Sequence, residues 1–126
     1  MVLACEQTKK VDSEDSYGVF FENLKDRDTV TSPVVIKMGI KGMEVEPAGN
    51  LNPGRGHHHL IVDGSFIEKG KVVTKDETHF HFGKGQTIDT LQLSPGSHTL
   101  TLQFADGMHQ SYGQDWSYTI DVFVKK

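Results

Sequence analysis

From residue 17 onward, apolar and polar residues alternate along short stretches that are separated by glycine, proline, asparagine and aspartate. Successive side chains of a β-strand point to opposite faces, so this alternation predicts strands with one buried face. The last stretch is the clearest, because aromatic and aliphatic residues occupy every second position from Trp116 to Val124. Strands are predicted at 19–24, 34–40, 57–63, 79–82, 88–93, 98–104 and 116–124, with a short edge strand at 71–74.

No stretch of the chain keeps the spacing of apolar positions that an amphipathic helix requires. About seven short strands with regular turn signals predict an all-β fold, an immunoglobulin-like antiparallel β-sandwich. One of these turn signals, Asp106-Gly107, favours a hairpin. The residues predicted to fill the core between the two sheets are Val34, Ile36, Leu60, Val62, Phe80, Phe82, Leu100, Leu102, Phe104, Trp116, Tyr118, Ile120 and Val122.

The composition fits one folded domain, 17–126, preceded by a short segment, 1–16, of different character. A chain of 126 residues is large enough to bury a core without a metal or a disulfide. It has 13 Lys and Arg against 17 Asp and Glu, and its basic residues form no stripe interleaved with aromatic residues. Nucleic acid is therefore not an expected partner. No apolar run approaches the roughly 20 residues that span a bilayer.

The segment before the domain contains the only cysteine, Cys5, in the sequence VLAC. This sequence resembles the end of a bacterial lipoprotein signal, and the polar residues that follow it are typical of a flexible tether. We therefore expect 1–16 to be a signal remnant and tether, with lipid attached to Cys5. The domain would then lie at the periplasmic face of the cell envelope and contact the membrane only through its anchor. The alternative is that Cys5 has no function.

Five of the seven histidines fall in two short runs, GHHHLIVD at 56–63 and THFHFG at 78–83. In an extended strand, His57 and His59 share a face, and so do His79 and His81, with about 6.6 Å between the Cα atoms of each pair. Neutral imidazole is a preferred ligand of zinc and copper. The sequence thus predicts a site for Cu(II) or Zn(II) formed by His57, His59, His79 and His81.

The other three histidines have structural interpretations. His58 shares its face with Leu60 and Val62, which favours a hydrogen-bonded core residue over an auxiliary metal ligand. His98 points inward by the same reasoning and is expected to stabilise the fold. His109 lies in the loop after a strand, where it is exposed unless the loop carries it to the site as an auxiliary ligand.

Several segments resemble one exported bacterial family that is classified as a domain of unknown function. They are 19–26, 28–33, 56–63, 81–87 and 93–107, and the most specific among them are the triple histidine and HFGKGQT. The resemblance covers nearly all of 19–124. It implies an immunoglobulin-like fold and export, often with a lipoprotein signal, and it implies no activity.

The motifs exclude some chemistry and leave three function classes open. No serine lies in a nucleophile elbow, and Cys5 in a tether is unsuited to nucleophilic catalysis, so covalent hydrolysis is not expected. The leading interpretation is a lipoprotein domain that binds a transition metal as a carrier, buffer or sensor. One alternative is a non-catalytic adhesion or assembly module with structural histidines. The other is a metalloenzyme, which would need three protein ligands and an open position.

Overall fold

The computed structural model describes residues 17–126, so Cys5 and the predicted tether lie outside the described residues. The described chain consists of short strands, loops and one turn of 3-10 helix, Gln114–Trp116. No helix in this part of the chain is long and apolar enough to cross a membrane. The strands are β1 (Gly18–Phe21), β2 (Asp28–Val30), β3 (Val34–Lys41), β4 (Glu44–Val45), β5 (Arg55–Val62), β6 (His79–His81), β7 (Ile88–Leu91), β8 (Gly96–Ala105) and β9 (Ser117–Val124).

The strands form two sheets. In the smaller sheet, β3 lies between β1 and β7, and both pairs are antiparallel. In the larger sheet the order is β2-β9-β8-β5, and the remaining side of β5 pairs with β4 at its beginning and with β6 further along. The pairs β2–β9 and β4–β5 are parallel. An all-β, sandwich-like fold is thereby confirmed, with more strands than the alternation of residues predicted.

The main core lies between the two sheets. β8 contributes Leu100, Leu102 and Phe104 at alternate positions, and all three are fully buried, because alternate residues of a strand share a face. From the smaller sheet, Ile36 and Met38 of β3 are buried in the same way. The other buried core residues are Val19, Phe21, Val34, Leu60, Val62, Phe82, Leu91, Ile120 and Val122. Three predicted core residues are only partly buried and pack against this core, namely Phe80, Trp116 and Tyr118.

The central strand β5 is buried on both of its faces. On the face away from the main core, His57, His59 and Ile61 are at most 1% exposed. The neighbouring β8 residues of that face, Thr101 and Gln103, are also buried. This outer face is therefore not a solvent-facing surface, although alternation along a strand usually indicates one.

Two connecting segments, 63–78 and 106–116, bond to this outer face. In the first, the backbone N–H of Ile67 donates to Oε1 of Gln103 on β8 at 2.9 Å. In the second, the hydroxyl of Ser111 donates to the carbonyl of Ile67 at 2.6 Å and joins the two segments. The polar groups of Gln103 and Ser111 are thus paired across the layer, which lets irregular chain cover this part of the sheet.

Two predicted features are not found. The proposed edge strand at 71–74 reduces to an isolated bridge between Val72 and Gln110. Trp116, expected to begin the last strand, ends the 3-10 helix. Conversely, β2 and β4 fall in segments for which no strand was predicted, because strands of two or three residues are too short to show a period of two.

Candidate metal centre

The two histidine runs lie on neighbouring strands. β5 and β6 are antiparallel, with His59 opposite His81 and Ile61 opposite His79. Antiparallel pairing makes the two runs extend in opposite directions from the His59–His81 pair. His57 and His79 therefore lie at opposite ends of the paired region, and the four predicted ligands do not meet at one point.

Three of the predicted ligands and one further histidine do converge. His57, His59, His81 and His109 each offer one ring nitrogen within 4.8 Å of the others. Nε2 of His57 lies 3.1 Å from Nε2 of His59 and 3.1 Å from Nδ1 of His109. In a tetrahedral site with metal–nitrogen bonds of about 2.0–2.1 Å, the nitrogens lie about 3.3–3.4 Å apart. These two nitrogen–nitrogen distances are therefore close to those in a four-nitrogen metal site. We call His57, His59, His81 and His109 the histidine cluster.

His109 reaches the cluster because β8 ends beside His57. Ala105, the last residue of β8, pairs with His57 and then bridges to Ser111, so the chain between them forms a compact turn. Oδ1 of Asp106 accepts hydrogen bonds from the backbone N–H groups of Met108, at 2.8 Å, and Gln110, at 3.0 Å. The turn signal in the sequence was correct in place, but the turn is longer than a tight hairpin.

Two glycines allow the close approaches that build the cluster. A Cβ atom at Gly83 would lie 2.4 Å from Cε1 of His81, so the His81 ring can lie against this backbone only when residue 83 is glycine. A Cβ atom at Gly107 would lie 1.5 Å from the carbonyl oxygen of Asn50, where the turn packs against the loop after β4. The backbone N–H of Gly49 also donates to the carbonyl of Gly107 at 2.9 Å.

Burial keeps His57, His59 and His81 neutral. Loss of solvation, followed by the proximity of His81 and His109, lowers the pKa of His57 to about 4, against an opposing effect of Asp106. The pKa of His59 falls to about 2 for the same leading reason. Burial also lowers the pKa of His81, and Lys75 adds to the effect. Near neutral pH these rings are therefore in the neutral form that binds metals.

The donor set fits a metal ion of intermediate hardness. The cluster consists of imidazoles alone, without a carboxylate or thiolate among its four members. Three of its ring nitrogens, Nδ1 of His57, Nδ1 of His59 and Nε2 of His81, are buried and have no hydrogen-bond partner in residues 17–126. Buried polar atoms without partners are costly, and a cation bound at Nε2 of His81 would offset that cost for this ring. His57 and His59 face each other through Nε2, so an ion between them would leave both Nδ1 atoms without partners.

His79, predicted as a ligand, lies outside the cluster. Its Nδ1 is 2.8 Å from Oδ1 of Asp76 and 3.0 Å from the hydroxyl of Thr78. The register of β5 and β6 is the physical reason, because it pairs His79 with Ile61 rather than with a histidine. From the sequence, His109 was expected to be at most an auxiliary ligand. In the structure it is the fourth member of the cluster, the role predicted for His79.

His58 lies on the core face of β5, as the sequence predicts, but it is not hydrogen-bonded as expected. Its ring is fully buried and meets the ring of Phe104 edge to face, with 5.1 Å between centroids. Neither ring nitrogen has a hydrogen-bond partner in the described part of the chain. Burial, followed by the proximity of His57, lowers the pKa of His58 to about 4.

His98 joins two elements of the larger sheet. Its Nδ1 lies 3.0 Å from Oδ2 of Asp63, and its Nε2 lies 2.8 Å from the carbonyl of Ser94. Burial lowers the pKa of His98, but the hydrogen bonds to Asp63 and Ser94 outweigh burial, and the net shift is upward. These contacts tie the beginning of β8 to the end of β5, in agreement with the structural role predicted from the sequence.

Comparison with known families adds a classification. The sequence model of a family described as "Domain of unknown function (DUF4399)" matches residues 36–125. The chain belongs to this family. The matched DUF4399 region contains all four histidines of the cluster and every strand from β4 to β9. No curated protein and no solved structure matches the chain.

The histidine cluster has a closed side and an open side. His57 and His59 are fully buried on β5, whereas His81 and His109 are partly exposed. An ion would therefore approach from the side of His81 and His109. The arrangement could hold a divalent cation through up to four ring nitrogens. The sequence analysis did not identify the two residues that position His109 and His81, which are Asp106 and Gly83. The signals for these residues were the Asp-Gly turn and the glycine that directly follows HFHF.

Proposed function

We propose that this domain binds a transition-metal ion, Cu(II) or Zn(II), through His57, His59, His81 and His109. The observation that carries the proposal is the convergence of four ring nitrogens within 4.8 Å in a largely buried site. Buried polar side chains are costly unless they are paired, so four imidazoles that converge in a largely buried site indicate a shared ligand. The lowered pKa values of the buried rings support the proposal, since protons compete weakly for these nitrogens.

The nitrogen-only donor set supports copper or zinc over harder cations. Magnesium and calcium prefer oxygen ligands, whereas imidazole suits zinc, copper and nickel. Along the divalent first-row transition metals, the affinity of a given site rises from manganese to copper and falls again at zinc. Copper is therefore bound more tightly where both copper and zinc are present. A tetrahedral preference would favour Zn(II), and a flattened arrangement of the four rings would favour Cu(II).

A carrier, buffer or sensor accounts for the site better than a hydrolytic enzyme. Four imidazoles fill the positions of a tetrahedral ion, whereas catalytic zinc sites keep one position for water or substrate. We place this activity at the periplasmic face of the cell envelope, with a lipid anchor on Cys5. Support for that location comes from the sequence VLAC and the polar segment after it. Replacing Cys5 by alanine in the precursor should release the protein from membranes in cell fractionation.

The direct test is a titration of untagged, metal-free protein with Zn(II) and Cu(II) in the presence of a competing chelator. The wild type should bind one ion per chain. The double variant His59→Ala/His81→Ala should lose more affinity than the roughly 10–100-fold that removal of an outer-shell partner costs. His79→Ala is the matched control, because His79 lies on the same strand as His81 but outside the cluster.

Two results would contradict the proposal. One is a wild-type affinity no better than millimolar for both ions. The other is equal binding by the wild type and the double variant. Either result would leave an adhesion or assembly module with structural histidines as the better account of this domain.

A further inference from the structure

The four members of the histidine cluster are held with unequal rigidity. His57 and His59 belong to β5, which lies between β8 and β6 in the larger sheet. His81 belongs to β6 and lies opposite His59. His109 alone is carried by a turn, and its side chain is partly exposed.

The backbone at His109 is in a conformation that L-residues rarely adopt. Its φ is 66°, in the left-handed region, which is uncommon outside glycine although asparagine, aspartate and histidine adopt it more often than other residues. Such a conformation persists only where surrounding contacts fix it, and it is often found at functional sites. Here the backbone of residue 109 is fixed by two hydrogen bonds. The N–H of Val73 donates to the His109 carbonyl at 2.8 Å, and the N–H of His109 donates to the Asp106 carbonyl at 2.9 Å.

Asp106 organises the turn around His109. Its carboxylate accepts hydrogen bonds from the backbone N–H groups of Met108 and Gln110, the two residues that flank His109. Asp106 touches no ring of the cluster through a hydrogen bond in the described structure, so it acts through the backbone of the turn. If these bonds break, the turn loses the contacts that hold residue 109 left-handed, and the ring can move away from His57.

His81 has no comparable freedom. The strand that carries it pairs with β5, and Phe82, directly after it, is buried in the main core. Its ring also lies against the backbone of Gly83. Removing His81 from the cluster would therefore require β6 to separate from the sheet, whereas removing His109 requires a change in one turn.

We infer that His109 is an exchangeable fourth ligand, held in place by Asp106 as a positioning residue, while His57, His59 and His81 retain the ion. In the exchange, the bond from the metal to the His109 nitrogen breaks and a bond to one incoming donor atom forms, without oxidation or proton transfer. Because an ion held by three imidazoles is one that prefers neutral nitrogen donors, the incoming ligand is a monodentate nitrogen donor of the imidazole class. This inference rests on the proposed function and assigns a route for loading and release.

The test uses Co(II) as a spectroscopic probe and the full chain with its natural ligand set. His109→Asn removes the imidazole and keeps a residue that accepts left-handed backbone, so the turn is disturbed as little as possible. We expect this variant to bind one Co(II), with an affinity lower by at least the roughly 10–100-fold that loss of an outer-shell partner costs, and with faster release to a chelator. Its visible spectrum should differ from that of the wild type, and free imidazole should restore it. His59→Asn should bind much less, and His79→Asn should behave as the wild type.

A second variant tests the positioning role. Asp106→Ala leaves all four histidines present but removes both acceptor bonds of the turn, so it should accelerate Co(II) release in the same way as His109→Asn. Asp106→Asn, which keeps an oxygen acceptor, should release Co(II) more slowly than Asp106→Ala. Near-UV circular dichroism of each variant shows whether the fold is intact. If Asp106→Ala is unfolded, the release rate of His109→Asn and its recovery with free imidazole decide whether His109 is the exchangeable ligand.

The outcomes separate this inference from the proposed function. A wild type whose affinity for both Zn(II) and Cu(II) is no better than millimolar would overturn the proposed function itself. A wild type that binds Co(II), with His109→Asn and His59→Asn equally impaired, would overturn the exchangeable ligand and leave a fixed four-histidine site. Unchanged release from His109→Asn would show that this residue is not a ligand.

Discussion

Replacing His58 by leucine is expected to stabilise this domain. The His58 ring is fully buried in the core between the sheets, and neither of its nitrogens has a hydrogen-bond partner in residues 17–126. A buried polar group without a partner costs about 1–3 kcal/mol of folding free energy. Leucine has a similar volume and no polar atoms, so it should recover most of that cost without opening a cavity or crowding Phe104.

The gain should be larger in acid. Burial, and then the proximity of His57, lowers the pKa of His58 from 6.5 to about 4. The unfolded chain therefore binds a proton more readily than the folded one, and the stability present above pH 6.5 is lost as pH falls toward 4. At pH 5 this loss is about 2 kcal/mol for one such group, because each unit of pKa difference corresponds to about 1.36 kcal/mol. The variant escapes this loss, so its total gain should be about 3–5 kcal/mol at pH 5.

Urea denaturation of metal-free protein at pH 8 and pH 5 measures both parts of the effect. The midpoint of His58→Leu should rise at both pH values, with a larger difference from the wild type at pH 5 and an unchanged slope. His79→Leu is the control, since His79 is partly exposed and hydrogen-bonded to Asp76. The reasoning is refuted if His58→Leu is less stable than the wild type at pH 8, or if the difference does not grow in acid.

Four further outcomes are expected. Because the pKa of His57 is lowered to about 4, competition titrations should find Zn(II) still bound at pH 5.5, and complete loss at pH 6 would contradict the cluster. Phe104→Ala should lower the free energy of unfolding by about 3–5 kcal/mol in urea denaturation, since the residue is fully buried. Gly83→Ala should weaken Zn(II) binding in the same titration, because the new Cβ displaces the His81 ring; unchanged affinity would exclude His81 as a ligand. The pKa of His98 is raised in the folded protein, so its contribution to the free energy of unfolding is complete below pH 6.5 and is lost as pH rises through its folded-state pKa. His98→Ala should therefore lower the free energy of unfolding by about 1–2 kcal/mol at pH 5.5 and by less at pH 9, as measured by urea denaturation.

The sandwich was predictable because most of its strands have one clearly buried face. In β8 and β9, apolar residues recur at every second position, from Leu100 to Phe104 and from Tyr118 to Val124, and the pattern is long enough to identify a strand. β2 and β4 are different. β2 pairs in parallel with the distant β9 and β4 pairs in parallel with the beginning of β5, and two or three residues carry no period, so only the tertiary structure defines them.

The candidate site was predictable in kind but not in membership. His-x-His on two strands correctly indicated that histidines of both runs meet, as His59 and His81 do. The direction of pairing decides which of the outer histidines join them, and the sequence does not give this direction. The arrival of His109 depends on the length of the turn after β8, which the Asp-Gly signal located without defining.

The three consecutive histidines of β5 belong to two different environments. His58 faces the main core, while His57 and His59 face the cluster on the other side of the sheet. A shift of this strand by one residue would exchange the two sets, placing Leu60 among the members of the histidine cluster and two imidazoles among the core side chains. The same error would thus destroy the core and the cluster at once. One strand register therefore maintains both, and neither can change without the other.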